Sequence, residues 1–589
     1  MLEQHFSDAP FIDHFCKERV KKAALIHDRQ YLARLVGHSV ESSPEHPYYR
    51  LTPPRRQWPA FRRRYRTDGQ NSDLIALKRA VMILRHDSPH LPWVVEMNRK
   101  ISEIRERVFN NSSFSFSPPT VNWALKKKGG HEYRSLCRFN PDDNLILCLF
   151  ARYLRDVFDP QFSDCSYAFR AARNGHVPTH HHAFTEICNL RDNYANQSLY
   201  IAECDIKGFF DTVDHGVALQ SFRAAAQRLN LHPRAERLFQ AYLNCYSFPV
   251  NVLAEAGQRL RRRDQNGIFK WPESELRKLH KTDPHTLRIG VPQGGAVSGI
   301  IANLILDAAD KCVEETKNRL GAQIHYFRYC DDMILISPVR KHCEAVFDAY
   351  KAEVTELKLV FHKPKNTWIY GAKHWDNKSR AVYKWSPLKW FGCVPWVQFV
   401  GYQIRYDGLV RTRKESVKKQ CLKLVETTNV LKFGLLRAAQ THQIRATKNQ
   451  TMASLRAKLV AQGVGRFKHF VAGPKPMCWA NGFKALHNKP FVDRALRSMD
   501  KARKKQIRRF NAAAIVYGTG RRSGNGNRRD PVGYEFSYHA QFTNAGGQFL
   551  IQNPWQPRNL KDKLKQILFL FLTGRSVKRW LRKIKSKLA

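Results

Sequence analysis

Two adjacent acids, Asp331 and Asp332, stand between two short runs of β-prone residues, HYFRY at 325–329 and MILIS at 333–337. Two strand-like runs interrupted by these acids read as a hairpin that presents both carboxylates at its turn. A second apolar run, SLYIAECD, closes on Asp205 in the segment 202–215 (AECDIKGFFDTVDH). Strand-like stretches at 199–206, 323–329, 333–337 and 398–406 alternate with helical ones. The body between about 120 and 410 is therefore predicted to be α+β or α/β rather than a helical bundle.

Acids gathered at strand ends are costly unless a cation offsets them. Hard divalent ions with oxygen ligands, Mg²⁺ above all, answer that need. Two such ions can activate a hydroxyl and stabilise a leaving pyrophosphate in an in-line displacement. An Asp-Asp pair alone says little, because the chain holds another at Asp142–Asp143. That pair follows Asn140-Pro141 and reads as turn chemistry with solvated acids.

The chain of 589 residues carries 100 Lys+Arg against 50 Asp+Glu, a net charge of +50. From position 411 onward the balance is 40 basic to 7 acidic residues, so most of the excess lies in the last third. A field of that sign points to a polyanionic partner, nucleic acid by default, or to generic solubility. With 43% hydrophobic residues the chain can bury a core and is no disordered tail. The longest apolar stretches, such as 567–572, are far short of the ~20 residues of a membrane-spanning helix. The N-terminus lacks the apolar region of a secretory signal, and the 13 Cys form no CxxC pair. A cytoplasmic protein with reduced thiols is expected.

Helical periods appear at 73–86 and 93–109. The Pro/Arg-rich stretch 53–66 could line a nucleic-acid path or be a solvated loop. Residues 414–510 read as helical and very basic, and 518–529 (GTGRRSGNGNRR) as a linker or loop. The tail, 560–588, has apolar residues at helical spacing opposite a Lys/Arg face. It is expected to dock on this protein, on a partner subunit or on an anionic surface. The triplet His180–His182 reads as a polar loop rather than a metal site.

Taken in order, these blocks resemble those of reverse transcriptases, most closely the bacterial group II intron, retron and defence-associated branches. Tyr329-Cys330-Asp331-Asp332 resembles the family's Tyr-x-Asp-Asp box, preceded by Arg328. Residues 205–211 (DIKGFFD), with His215 beyond, resemble the Asp-Ile-x-x-Phe-Phe-Asp block. Residues 291–298 (VPQGGAVS), followed by 302–304 (ANL), resemble the Pro-Gln-Gly-x-x-x-Ser block. Residues 166–173 (SYAFRAAR) resemble the Gly-Phe-Arg block, Lys365 with Thr367 the Lys-Thr block, and 399–402 (FVGY) the Phe-Leu-Gly-Tyr block. Lys126, Lys127, Lys128 and Arg134 fall where the family's fingers contact triphosphate.

The resemblance implies an α+β right-hand polymerase with fingers, palm and helical thumb. Residues 1–100 would be a partly helical N-terminal extension, and 101–410 the fingers and palm, with an insertion near 254–288. Residues 411–511 would be the basic thumb, and 512–589 a C-terminal extension with a basic amphipathic helix. Asp205, Asp331 and Asp332 would be catalytic and would hold two Mg²⁺ ions, or Mn²⁺, helped by the carbonyl of Ile206. Phe210 would lie beneath the sugar and exclude a 2′-hydroxyl, its alternative being a core ring beside Phe209. Gln293 and Gly294 would shape the nucleotide pocket, and Lys128, Arg134 and Lys365 would neutralise triphosphate charge. Phe399, Gly401 and Tyr402 would meet nucleic acid.

The sequence also departs from the pattern. Gly299 stands where many members have Pro after the Ser, which suggests a looser turn, and Cys330 where Ala or Val is more usual. No Cys/His cluster resembling a zinc-bound endonuclease follows the thumb, and no second acid constellation suggests an RNase H domain. The extensions and the Ser-Gly variant resemble antiphage-defence enzymes that work with a noncoding RNA. The expected activity is RNA-directed DNA synthesis from dNTPs on an RNA template, giving a DNA product. The alternatives are a group II intron- or retron-like enzyme or maturase, and a non-catalytic RNA-binding scaffold. A homo-oligomer is allowed.

Overall fold

A computed structural model describes residues 2–36, 47–54, 57–58, 72–110, 113–126, 130–172, 176–195, 197–229, 231–259, 268–269, 271–364, 370–388 and 391–440, and parts of 451–516. Lys128 and Lys365, the linker at 518–529 and the tail helix at 560–588 lie outside the described residues, as does most of the 53–66 stretch. The chain divides into two compact units. The first comprises Met1–His14, Val95–Val400 and Ile404–Gly408, and the second Phe15–Val94, Gly401–Gln403 and Leu409–Ala589.

In chain order the elements that matter are helices α1 (Asp8–Val36), α2 (Ser72–Asp87) and α3 (Pro92–Phe109), then strands β1 (Thr120–Leu125) and β2 (Tyr133–Arg138). Helices α4 (Pro141–Phe158) and α5 (His180–Asn193) precede β3 (Leu199–Cys204), α6 (His215–Ala226), α7 (Arg234–Asn244) and α8 (Glu273–His280). Next come α9 (Ser298–Arg319), β4 (His325–Tyr329), β5 (Asp332–Ser337), α10 (Arg340–Glu356), β6 (Arg380–Trp385) and β7 (Cys393–Val394). The series ends with β8 (Trp396–Phe399), β9 (Tyr402–Arg405), β10 (Val410–Thr412), α11 (Lys414–Gln440) and α12 (Val492–Val516). The mixture of sheet and helix meets the α+β expectation.

The first unit is organised by a five-stranded sheet of order β4-β5-β3-β6-β7. β3 is central and runs antiparallel to both β5 and β6, which explains why it reads as a nearly unbroken apolar run. Helix α10 packs on β3 and β5, and α9 packs on α10 and α6. The fully buried Ile201, Leu335, Ile336, Val346 and Trp385 fill the sheet–helix core. Each such side chain contributes about 1.5–3 kcal/mol by leaving water. A separate β1–β2 hairpin pairs Ala124 with Arg134. In the second unit, α11 packs on α12 and buries Leu424, Leu431 and Leu435. Among the described residues no helix is long and apolar enough to cross a membrane.

Three expectations change. Asp142–Asp143 is no solvated turn: Pro141 opens helix α4, and the Asn140 side chain caps it by accepting from the Asp143 N–H at 2.9 Å. Asp143 is wholly buried and accepts from Arg107 at 2.6 Å and from the Ser117 N–H at 3.0 Å. The His triplet opens helix α5 rather than forming a loop, with His181 buried and His182 Nδ1 accepting from the Thr179 N–H at 3.2 Å. The stretch 398–406 is broken into β8 and β9 at Val400 and Gly401, whose φ angles are +42° and +92°.

Candidate active site

The acidic turn forms as its residues dictate. Tyr329 pairs with Asp332, leaving Cys330 and Asp331 as a two-residue loop. Cys330 takes φ +61°, the left-handed value that primed hairpin turns need and a side chain rarely adopts. That conformation is held from below. Arg328 is fully buried and grips Asp310 of α9 with two nitrogens, at 2.7 and 2.5 Å. Its remaining terminal nitrogen donates to the Cys330 carbonyl at 3.1 Å and to Asn303 Oδ1 at 3.2 Å. Tyr326 donates to the same Asp310 at 2.8 Å. A rigid fork of donors thereby fixes the backbone of the turn from a buried anchor.

Because Cys204 pairs with Met333, Asp205 emerges from β3 beside that turn. The Asp205 N–H donates to Ser379 Oγ at 3.0 Å, and its carbonyl accepts from the His362 N–H at 3.0 Å. Its carboxylate meets Lys378 Nζ at 2.5 Å and His362 Nε2 at 3.3 Å. Burial first, then the charge of Asp205, raises the pKa of Asp331. Asp332 is pushed well up by the protein crowding it and by Asp331 and Asp205. Asp332 itself reaches solvent at the strand end, where its two like-charged neighbours oppose its ionisation. Burial also keeps the Cys330 thiol protonated, which leaves an all-oxygen donor set at the turn.

Whether these residues suit a divalent metal follows from that donor set. Three mutually repelling carboxylates are what a hard cation relieves. Among the described residues no three acidic, His or Cys side chains are by themselves arranged to hold a metal ion, so other oxygens would have to complete the ligand set. An open site fits Mg²⁺, which keeps waters and takes further oxygens from substrate phosphates. Asp205, Asp331 and Asp332 would hold it. Ile206 is buried and bridges Phe361.

A wall of hydrogen-bonded backbone is built on the turn that follows Asp205. The Val291 N–H donates to the Phe210 carbonyl at 2.7 Å, the Gly290 N–H to Val213, and the Cys137 N–H to the Gln293 carbonyl at 2.9 Å. The 290–293 segment is thus clamped between the Phe210 turn and β2, with His215 Nε2 on the Gly290 carbonyl at 2.7 Å. Gln293 donates to Asp211 Oδ1 at 2.6 Å, and Ser135 to the same oxygen at 3.3 Å. Burial pushes Asp211 up to about 6 against these donors and the charges of Lys126 and Arg134. Gly294 has φ +93°, which its lack of a Cβ permits, and lies exposed at the wall's edge. Phe209 is the core ring, whereas Phe210 is only half-buried and meets it edge-on at 5.3 Å. Arg134 is exposed on β2.

Gly299 makes room rather than slack. A Cβ there would lie 2.5 Å from the Phe169 ring, which has φ +58° and remains 49% exposed. Arg170 of the same block is buried against Asp159 at 2.7 Å, a structural anchor. Phe399 is buried in the first unit. In the second, Tyr402 is wholly buried, its ring 5.3 Å from Phe483, with Gly401 against that same ring. Lys378, Ser379 and His362 had no motif to announce them, since Lys378 and Ser379 meet Asp205 only through the pairing of β3 with β6, and His362 only through the bridge between Ile206 and Phe361.

Residues 125–404 match the family model described as reverse transcriptase (RNA-dependent DNA polymerase). The group II intron-encoded protein LtrA of Lactococcus lactis subsp. cremoris is 24% identical over 250 residues, 42% of this chain and 31% of that protein. A putative COX1/OXI3 intron 1 protein of Saccharomyces cerevisiae is 24% identical over 207 residues, 35% of this chain and 19% of that one. The chain thus spans less than a third of these relatives' length. Among solved structures, telomerase from Candida albicans with a fragment of telomeric RNA covers 76% of this chain and 74% of its own, at 10% identity and TM-score 0.32. Apo telomerase from Candida tropicalis covers 73% of both chains at 13% identity and TM-score 0.29. The matched span holds every acid of the cluster and the wall beside it, and this chain carries a domain of the reverse transcriptase family.

Proposed function

We propose that this protein is an RNA-directed DNA polymerase. The observation that carries the reading is the meeting of Asp205 with Asp331 and Asp332 at one end of the five-stranded sheet, beside the wall of Phe210, Gln293 and Gly294. Two Mg²⁺ ions, when bound, supply activation of a primer 3′-hydroxyl and neutralisation of the leaving pyrophosphate. The chain's own residues do the rest. The three carboxylates hold the charge, and the Arg328 anchor keeps the turn from drifting. The half-buried Phe210 ring would overlap a 2′-hydroxyl and so favour dNTPs. Arg134 and Lys126, both exposed, stand on the fingers hairpin and its edge, where they attract a triphosphate.

The finer proposal is that the enzyme works in the cytoplasm with a structured noncoding RNA in antiphage defence. Its support is the basic region after 411, suited to phosphate backbone, and the resemblance of the extensions to defence enzymes. A group II intron-like role is the second reading, favoured by the match to LtrA.

The test is primer extension on matched RNA and DNA templates, followed by sequencing of the nucleic acid that co-purifies. Extension on RNA with dNTPs supports the polymerase, and a dedicated small RNA supports the defence reading. A bound intron favours the second reading, and absence of extension on any template refutes the first.

A further inference from the structure

Lys378 lies outside every block that resembles the family, yet its Nζ sits 2.5 Å from Asp205 Oδ2. The contact is built by the sheet. Glu203 of β3 pairs in register with Arg380 of β6, and the two side chains, both buried, form an ion pair. Arg380 also donates to the Asn377 carbonyl at 2.6 Å, and Tyr383 donates to the other oxygen of Glu203 at 2.5 Å. Ser379 accepts from the Asp205 N–H, so residues 377–380 are locked alongside 203–205. Lys378 is therefore delivered to Asp205 by a buried charged network.

Its own side chain is different in character. It remains 61% exposed, while the carboxylate it meets is only 12% exposed. The ammonium also offsets the charge of Asp331 and Asp332 and bears on Lys126 across the site. A divalent cation and an ammonium cannot share one carboxylate oxygen without strong repulsion. Whichever leaves must be the one on a flexible, solvated stem, and a lysine stem swings its charge by several ångströms.

Resting on the polymerase reading, we propose that Lys378 is a positioning residue that shares Asp205 with the metal. It holds the carboxylate before metal arrives, then passes to the phosphates of the incoming nucleotide. No bond is made or broken, and one cation replaces another.

The test uses the full-length protein and needs no turnover for its first part. Mn²⁺ is titrated by electron paramagnetic resonance, without nucleotide, into wild type, Lys378→Met, Lys378→Arg and Asp205→Asn. Removing the competing ammonium is expected to tighten Mn²⁺ binding roughly three- to tenfold in Lys378→Met, the scale of one solvated charge. Lys378→Arg should stay near wild type, and Asp205→Asn should lose the site. In primer extension, Lys378→Met should raise the dNTP KM about tenfold while kcat changes less than about threefold, the pattern of lost binding rather than lost chemistry. Unchanged or weaker Mn²⁺ binding in Lys378→Met overturns the sharing, and tighter binding with unchanged KM overturns the hand-over. A wild type that binds Mn²⁺ but extends no primer refutes the polymerase reading and leaves the sharing decided by the titration.

Discussion

Arg328 grips Asp310 with two nitrogens and spends its third on the carbonyl of Cys330, one residue before the acidic pair Asp331–Asp332. Both side chains of the ion pair are fully buried, so removing either partner strands a charge. Asp310→Ala is expected to cost about 3–5 kcal/mol of stability. Arg328→Lys keeps the charge but loses the fork. It should fold less stably and lower kcat more than KM, because the turn loses its anchor. Urea unfolding with steady-state kinetics checks both. A fully active, fully stable Arg328→Lys would show that the anchor is dispensable.

Asp211 makes stability depend on pH. Its carboxyl is pushed from an ordinary 3.8 up to about 6 in the folded protein. The folded state therefore holds a proton that the unfolded chain gives up between those values. Stability contributed by this group falls as pH rises from about 4 through 6, by up to about 3 kcal/mol, and is flat beyond. Asp211→Asn should remove that slope, seen as the difference between the two urea-midpoint curves across pH 4–7.

Gly299 and Phe169 are coupled by space. Gly299→Ala puts a methyl group 2.5 Å from the ring and should cost about 1–3 kcal/mol. Phe169→Ala in the same chain should recover most of that loss, a coupling that a double-mutant cycle measures directly. Additive losses would mean that the ring and the helix start are independent.

Phe209 and Phe210 are neighbours with different duties. Phe209→Ala empties a core position and should cost about 3–5 kcal/mol, whereas Phe210→Ala, half-buried, should cost far less. Phe210→Ala should lower discrimination against rNTPs at least about tenfold, the scale of one steric contact worth about 1.4 kcal/mol. The ratio of kcat/KM for dTTP and UTP reports it. An unchanged ratio contradicts the role of the ring.

The sequence made the hairpin acids and Asp205 legible because their strands carry alternating or continuous apolar residues that end on the carboxylates. It did not disclose α1, whose apolar residues form no sustained stripe. Asp143 was misread because its partners Arg107 and Ser117 are remote in sequence and local turn chemistry looked sufficient. Lys378 reaches Asp205 across 173 positions through strand register, which no local pattern encodes. Gly299 read as slack because a missing side chain does not say what fills its space.

The central claim is that three carboxylates at one sheet end drive DNA synthesis on RNA. Single-turnover incorporation of one dNTP on an RNA template–primer, at saturating Mg²⁺, tests it with wild type and Asp332→Ala, alongside template–primer binding by anisotropy. The account predicts at least about a thousandfold loss of the incorporation rate, the scale of an essential charge-stabilising group, with binding changed less than about threefold. Comparable incorporation by the two proteins would contradict it.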